Sequence, residues 1–324
     1  MPFMRLNIAR NRKMNILGIC SIAVDTIAHV DHLPIRDSFC TVTKSERMQG
    51  GSGTNVLVQA AKLGAATGIV TQIAKDADSD WIMDNLHRCG IDSRGVYRKD
   101  GQYEAPSCLI YVDPHGEKML VVSAEKRLPA LTEGQADLSL IEEADIVYLD
   151  LNPAPMSMTA AREAYKAGKK VVLNYQEDLD SILSRGVDRT FLTEILQYVT
   201  VFAPCQEAIK ALSGSGNVDD QAAYIRQYFH GLIILTLGSD GLVAWDQDDK
   251  KIIVPALSID ASDTTGAGDS FIGSFMVAYL IHQQPLLESL QYSTACAAYT
   301  CMDFGAQASP TAEQLHGFME KHRQ

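Results

Sequence analysis

The stretch "DASDTTGAGDSF", Asp260–Phe271, decides how this chain is read. Two threonines lead into Gly266-Ala267-Gly268, then Asp269, then an apolar run. A plain helix start needs one capping side chain and no Gly-Ala-Gly turn. A plain turn needs one or two glycines and no carboxylate directly behind them. The small residues let backbone N–H groups converge on something negative at the start of a helix spanning Ser270–Ile281, where the helix dipole adds partial positive charge. Such a hole suits the charge of a transferring phosphoryl group. Asp269, at its edge, is placed to accept a proton from an attacking hydroxyl. A loose transition state makes orientation its main task, so a carboxylate of ordinary or lowered pKa suffices.

The rest of the chain supports a large α/β protein. After Ala130, strand-like and helix-like runs alternate: "ADIVYLDL", "MTAAREAYKAG", "KKVVLNY", "TFLTEILQYV", "VTVFAP", "DQAAYIRQYFHG", "LIILTLG". That rhythm predicts a parallel sheet with helices on both faces. Upstream, "MNILGIC" reads as a buried strand and "TGIVTQI" as another. Residues Gly53–Leu63 carry apolar residues at helical spacing, closed by Gly64; "DSDWIMDNLHRCG" is a helix capped by Asp and stopped by Gly90. "TIAHV", "CTVTKSERM" and "SCLIYVDPHGEKMLVVS" alternate in period two, outside the rhythm. They predict a small β-sheet lid over the C-terminal edge of the main sheet, built from about 26–48 and 107–123. "SGSGN", Ser213–Asn217, reads as a loop.

Composition narrows the partners. The chain has 324 residues, 46% hydrophobic, enough for a large core, and a net charge of −12. Nucleic acid and anionic membrane surfaces are poor partners for that charge. No apolar run reaches the roughly 18 residues of a membrane span. Seven scattered cysteines without C-x-x-C read as reduced thiols in a cytoplasmic protein, not a zinc site. The basic start "MPFMRLNIARNRK" lacks the apolar core of a secretory signal. It is short for a transit segment. Residues 1–13 are read as a disordered extension, or as an upstream start with the working chain beginning at Met14.

Other glycine-rich motifs remain open on their own residues. No P-loop and no complete G-x-G-x-x-G occurs. "QGGSGTN" is either a tight turn with a cap, or a place where Gly50 and Gly51 let backbone approach a polyol beside Asn55. Asp25, just beyond the first strand, is either a turn carboxylate or a ligand-facing one. "TLGSDG" is either an Asp-Gly hairpin turn or a nucleotide contact through Thr236 and Gly238. Lys44, Arg47, Lys126 and Arg127 could face substrate, but solvated surface charge is the default for such residues.

"GGSGTN" and "DTTGAGDSF" together resemble the ribokinase/PfkB family of carbohydrate and nucleoside kinases, from about Met14 to Thr311. "AKDADSDWIMDNLHRCGID", "TLGSDG" and "FGAQASP" follow the family's order. The resemblance implies a three-layer α/β/α domain over 14–324 with a β-sheet lid that pairs two subunits as a homodimer. It implies ATP-dependent phosphorylation of a hydroxyl on a sugar or sugar-like molecule. Alternatives are a nucleoside or sugar-acid kinase of the same family, or a catalytically weak sugar or nucleotide sensor. Carried over by motif, Asp269 is the catalytic base and Gly266, Ala267 and Gly268 form the anion hole. Asp25, Gly50, Gly51, Asn55 and Asn152 hold the substrate. Thr236, Gly238, Gly241 and Thr265 lie on the nucleotide side. Asp263 falls in the K⁺ region, with backbone near Ala297 and Gly305. ATP and Mg²⁺ are the implied cofactors, with K⁺ a candidate third. The family's N-x-x-E motif, tied to Mg²⁺, is broken: Cys205 stands for the Asn and Ala208 for the Glu, with Glu207 one place early as a weak water-mediated Mg²⁺ candidate. Asn174 also stands where many members carry Asp.

Overall fold

The computed structural model describes residues 13–123, 126–176, 182–183 and 186–322. Of the expected extension only Lys13 is described, paired with Asp145; residues 1–12 lie outside the described residues. In chain order the elements are β1 (Met14–Ile19), β2 (Ala23–Val30), β3 (Val42–Gly50), α1 (Ser52–Lys62), β4 (Thr67–Ile73), α2 (Ala77–Arg88), β5 (Asp92–Arg98), β6 (Ser107–Val112), β7 (Lys118–Val122), β8 (Ala144–Leu149), α3 (Ala154–Lys166) and β9 (Lys170–Tyr175). There follow α4 (Arg189–Leu196), β10 (Val201–Pro204), α5 (Gln206–Ser213), α6 (Val218–Arg226), β11 (Leu232–Thr236), β12 (Leu242–Trp245), β13 (Lys251–Val254), α7 (Ala267–Phe275), α8 (Leu286–Thr300) and α9 (Ala312–Lys321).

Nine strands form one sheet in the order β13-β12-β11-β10-β9-β8-β1-β4-β5. Strands from β5 across to β11 run parallel. All but the edge strand β5 are mostly buried and apolar, as a sheet covered on both sides requires. Two apolar clusters lie on its two sides, one holding Leu17, Val147 and Phe202, the other Ile16, Tyr148 and Phe275. The last two strands turn antiparallel at the edge. "TLGSDG" makes the turn between β11 and β12, so its hairpin reading is realised. A Cβ on Gly241 would meet the Val254 carbonyl at 2.2 Å, and its φ is +90°. No helix among the described residues is long and apolar enough to cross a membrane.

A second sheet, β3-β2-β6-β7, is the expected small β element. Its two hairpins join by parallel pairing of β2 with β6, so distant segments make one piece. Its strands start earlier and end later than the expected 26–48, at Ala23 and Gly50. It has a minor core of Ile27, Ile110 and Val112, and leaves Leu120, Val121 and Val122 exposed.

Three local features place the site. Asp76 caps α2 through Ser79 N–H (2.8 Å) and also accepts from Ala105 N–H (2.8 Å), tying the helix to the approach to β6. Helix α7 starts at Ala267, three residues before the expected Ser270, because Gly266 takes the left-handed conformation (φ 77°) and acts as its N-cap. The helix then changes to π geometry over Met276–Ile281. Finally, α1 and α7 pack closely: a Cβ on Gly273 would lie 2.5 Å from the Val56 carbonyl. Only a glycine permits that approach, and it brings the first turns of the two helices together.

Candidate active site

The first turn of α7 holds Asp269, which is buried at 7% exposure. Both its oxygens are held from α1. The Ser52 hydroxyl donates to Oδ1 (2.6 Å) and the Asn55 amide to Oδ2 (2.9 Å). Burial pushes the Asp269 carboxyl above the usual range, while the Ser52 and Asn55 hydrogen bonds and the charge of Lys118 oppose that rise. An ordinary or lowered pKa would suffice for orienting a hydroxyl; the depth to which the packing of α1 on α7 sinks this carboxyl is not written in the motif.

Helix geometry leaves the first-turn N–H groups of α7 without helical partners. Ser270 N–H is the first to reach back, to the Gly266 carbonyl (2.8 Å). Ala267 N–H leans on the Thr264 carbonyl at 3.4 Å, so Gly268 and Asp269 offer the freer donors. All four residues from Gly266 to Asp269 line one large cleft of about 2130 Å³.

Asp25, on β2, lines the same cleft at 8% exposure. Among the described residues no hydrogen-bond donor reaches its carboxylate. Burial, and then the charge of Asp269, push its pKa up to about 6. Gly50 makes the space it occupies: a Cβ there would sit 1.9 Å from Asp25 Oδ2. Gly51, at φ 88°, lies against the Ile22 backbone. These glycines therefore accommodate the protein's own atoms; Gly51 lines the cleft and Gly50 does not. Asn55 lines it too, yet its amide nitrogen serves Asp269 and its carbonyl oxygen accepts from Gln307 (3.2 Å). Asn152 also lines the cleft. Asp150, two residues before it, accepts from Ser21 N–H (2.9 Å) and hydroxyl (2.6 Å), tying β8 to the loop that leads to Asp25.

Thr236, Gly238, Gly241 and Thr265 line the other part of the cleft. Asp263 is buried; its Oδ1 accepts from Thr265 N–H (2.9 Å) and hydroxyl (2.7 Å), its Oδ2 from Gly305 N–H (3.0 Å). Burial pushes its carboxyl up, but these bonds and Lys118 outweigh it and hold the carboxyl below the usual range. Glu207 lines the cleft but is exposed and leans on Lys210 (3.3 Å). No group of three metal-capable side chains occurs among the described residues.

Of the four basic residues weighed from sequence, three are paired at the surface: Lys44 with Glu46, Arg47 with Asp78, and Lys126 with Glu104. Arg127 is exposed and lines the cleft. The residue missed is Lys118 at the start of β7, whose ammonium donates to the Thr265 hydroxyl (2.6 Å) and lies 3.3 Å from Asp263 Oδ1. The sequence signal was slight, a lysine just after the Asp113–Gly116 turn, 145 residues from Asp263 and without a motif.

Comparison with known proteins agrees with this geometry. Residues 12–313 match the description of the pfkB family of carbohydrate kinases. An ATP-dependent ribose-1-phosphate kinase of Halopiger xanaduensis is 26% identical over 309 residues, covering 95% of this chain and 99% of its own. A ribokinase of Haemophilus influenzae is 28% identical over 319 residues, covering 95% and 99%. Among solved structures, a ribokinase from Thermotoga maritima superposes with a TM-score of 0.79 at 26% identity, covering 95% of this chain and 99% of that one.

Proposed function

The chain belongs to the pfkB family of carbohydrate kinases, and on that premise we propose that it phosphorylates a sugar hydroxyl between Asp25 and Asp269, using ATP. One observation carries the placement: two buried carboxylates share a cleft, one lacking any protein donor among the described residues and one anchored at a helix N-terminus. A buried carboxylate without donors is costly unless ligand hydroxyls supply them. Asp25 is thus the acceptor-binding group, with Asn152 and the backbone at Gly51 as further walls. Asp269, its two oxygens fixed by Ser52 and Asn55, orients the attacking hydroxyl.

In the reaction the acceptor oxygen bonds to the terminal phosphorus of ATP. The bond from that phosphorus to its bridging oxygen breaks, and ADP leaves with the electron pair. The acceptor proton passes to Asp269. The backbone donors at the start of α7 stabilise the transferring group without having to reorganise. Nucleotide fits the wall formed by Thr236, Gly238, Gly241 and Thr265. Among the described residues no cluster of metal-capable side chains stands ready for magnesium: Glu207 is exposed and paired with Lys210, and Cys205 and Ala208 bear no carboxylate. ATP itself would carry the ion. For K⁺, the spare lone pairs of Asp263 Oδ2 are the available anchor; equal turnover in K⁺ and in a bulky organic cation would remove it.

The exposed Leu120–Val122 edge of the small sheet supports pairing with a second copy, which sedimentation at micromolar concentration tests. Seven cysteines without a disulfide support a cytoplasmic setting. The function itself is tested by ADP release with MgATP over pentoses, pentose phosphates, hexoses, sugar acids and nucleosides. Ligand-induced stabilisation without ADP release from any of them would replace the kinase by a sensor.

A further inference from the structure

The cleft must take a polyanionic nucleotide, yet its lining carries six carboxylates against two strong bases, Lys118 and Arg127. The motif that would help hold magnesium is broken at Cys205 and Ala208. Positive charge is therefore scarce where a phosphoryl group has to be transferred. Arg127 is exposed. Lys118 is not: its side chain retains 18% exposure and its partner Asp263 only 4%. It comes from the small sheet and crosses to the loop directly before the anion hole, since Thr265 is bonded to Gly266.

The donors and acceptors of this contact can be counted. The Thr265 hydroxyl gives its one proton to Asp263 Oδ1 and accepts from Lys118 Nζ. One Lys118 proton thus goes to Thr265 and a second faces Asp263 at 3.3 Å. The third is free. The same charge is felt at Asp269, whose carboxyl it helps to hold down against burial.

Resting on the kinase reading above, we propose that Lys118 is a further catalytic residue: a cation delivered by the small sheet that contacts the terminal phosphoryl group of ATP at the mouth of the α7 anion hole. Its flexible stem and compact charge suit a group that must follow phosphorus from donor to acceptor oxygen. It also offsets the missing acidic metal motif by placing fixed positive charge beside the phosphates. A latch role alone, pinning the small sheet to the Asp263 loop, would make no distinction between nucleotides.

The test needs no knowledge of the acceptor. Calorimetric titration with MgAMP-PNP and MgADP is run on the parent protein, Lys118→Met and Lys118→Arg, with thermal melts confirming folding. A charge-assisted contact to the terminal phosphoryl group predicts that Lys118→Met weakens MgAMP-PNP about 10- to 100-fold. MgADP should change less than about twofold, and Lys118→Arg should keep the parent's preference because it keeps the charge. Equal weakening of both nucleotides by Lys118→Met, or weakening of neither, overturns the proposal. If Lys118→Met does not fold, a Lys118→Arg protein that loses the preference overturns it, and one that keeps it supports it. A parent that binds neither nucleotide overturns instead the kinase reading on which the proposal rests.

Discussion

Replacing Asp25 by Asn should make the protein more stable and the site empty-handed. In the folded state the Asp25 carboxyl titrates near 6, against an ordinary value of 3.8. At about 1.4 kcal/mol per pH unit, burying the charged form therefore costs on the order of 3 kcal/mol. The sign follows from linkage. A carboxyl with a raised folded pKa contributes stability fully below its unfolded value, and that contribution is lost as pH rises through the folded value. At pH 8 the parent bears the whole penalty, and well below pH 4 almost none. Asparagine keeps the size and never ionises, so Asp25→Asn should gain up to about 3 kcal/mol at pH 8. At roughly 2 °C per kcal/mol for a chain of this size, that is a rise in Tm of up to about 6 °C. The gap should shrink as pH falls, to about a third of its full size (roughly 1 kcal/mol) at pH 4.5, and should close only below the unfolded value near 3.8. Differential scanning calorimetry of parent and variant at pH 8, 6 and 4.5 measures it. Equal melting at pH 8, or a gap as large at pH 4.5 as at pH 8, would refute the claim that an unpartnered buried carboxylate strains this site. The same variant should lose the acceptor-induced rise in Tm, because the group that receives ligand hydroxyls has lost its charge.

The other expectations concern the base and the small sheet. Asp269→Asn should lower turnover by ~10²–10⁴ while nucleotide affinity, read by calorimetry, stays near the parent's; near-normal turnover would defeat the mechanism. Ser52→Ala removes a hydrogen bond that holds the Asp269 carboxyl down, so the acid limb of kcat/KM should move to higher pH. An unmoved limb means that Asp269 is not the titrating base. Because Asp25 and Lys118 ride on one sheet, a working acceptor should bind more tightly beside MgAMP-PNP than beside MgADP; equal affinities would uncouple the two groups.

The large sheet was legible because parallel strands are buried on both faces and alternate with amphipathic helices, a pattern that local sequence carries. "TGIVTQI" coincides with β4, and "ADIVYLDL" contains β8, which ends two residues earlier at Leu149, for that reason. The edge of the sheet was less legible. β12 and β13 have four residues each, too few for periodicity to register, and β5 has mixed exposure along its length. Helices α5, α8 and α9 drew no helix assignment; at α5 only the broken N-x-x-E position at Cys205–Ala208 was singled out. The start of α7 was displaced because the Gly-Ala-Gly turn was read as lying before the helix. In the structure Gly266 is the cap and the next two residues are already helical.

The site was legible in its residues and not in its contacts, and the difference is physical. A motif names groups whose chemistry is local: a carboxylate behind a glycine turn, or an amide after "GGSGT". It does not say which atoms meet. Gly50 looked like room for a ligand and is room for Asp25. Asn55 looked like a sugar contact and donates to Asp269, because close packing at Gly273 sets the two helix starts side by side. Lys118 could not be paired with Asp263 from sequence, because parallel addition of β6 to β2 carries it across the molecule. Asp25 and Lys118 thus belong to the small sheet, whereas Asp269 and the anion hole belong to the helix layer beside the large one. On the proposed reading the acceptor-binding charge and the phosphate-facing cation therefore come from one sheet, and the base and the N–H donors from a helix packed beside the other. Lys118 already reaches Thr265 beside the start of α7, and Asp25, Lys118 and Asp269 line one cleft between the two sheets, so on the proposed reading distant segments supply the reacting groups to a single site.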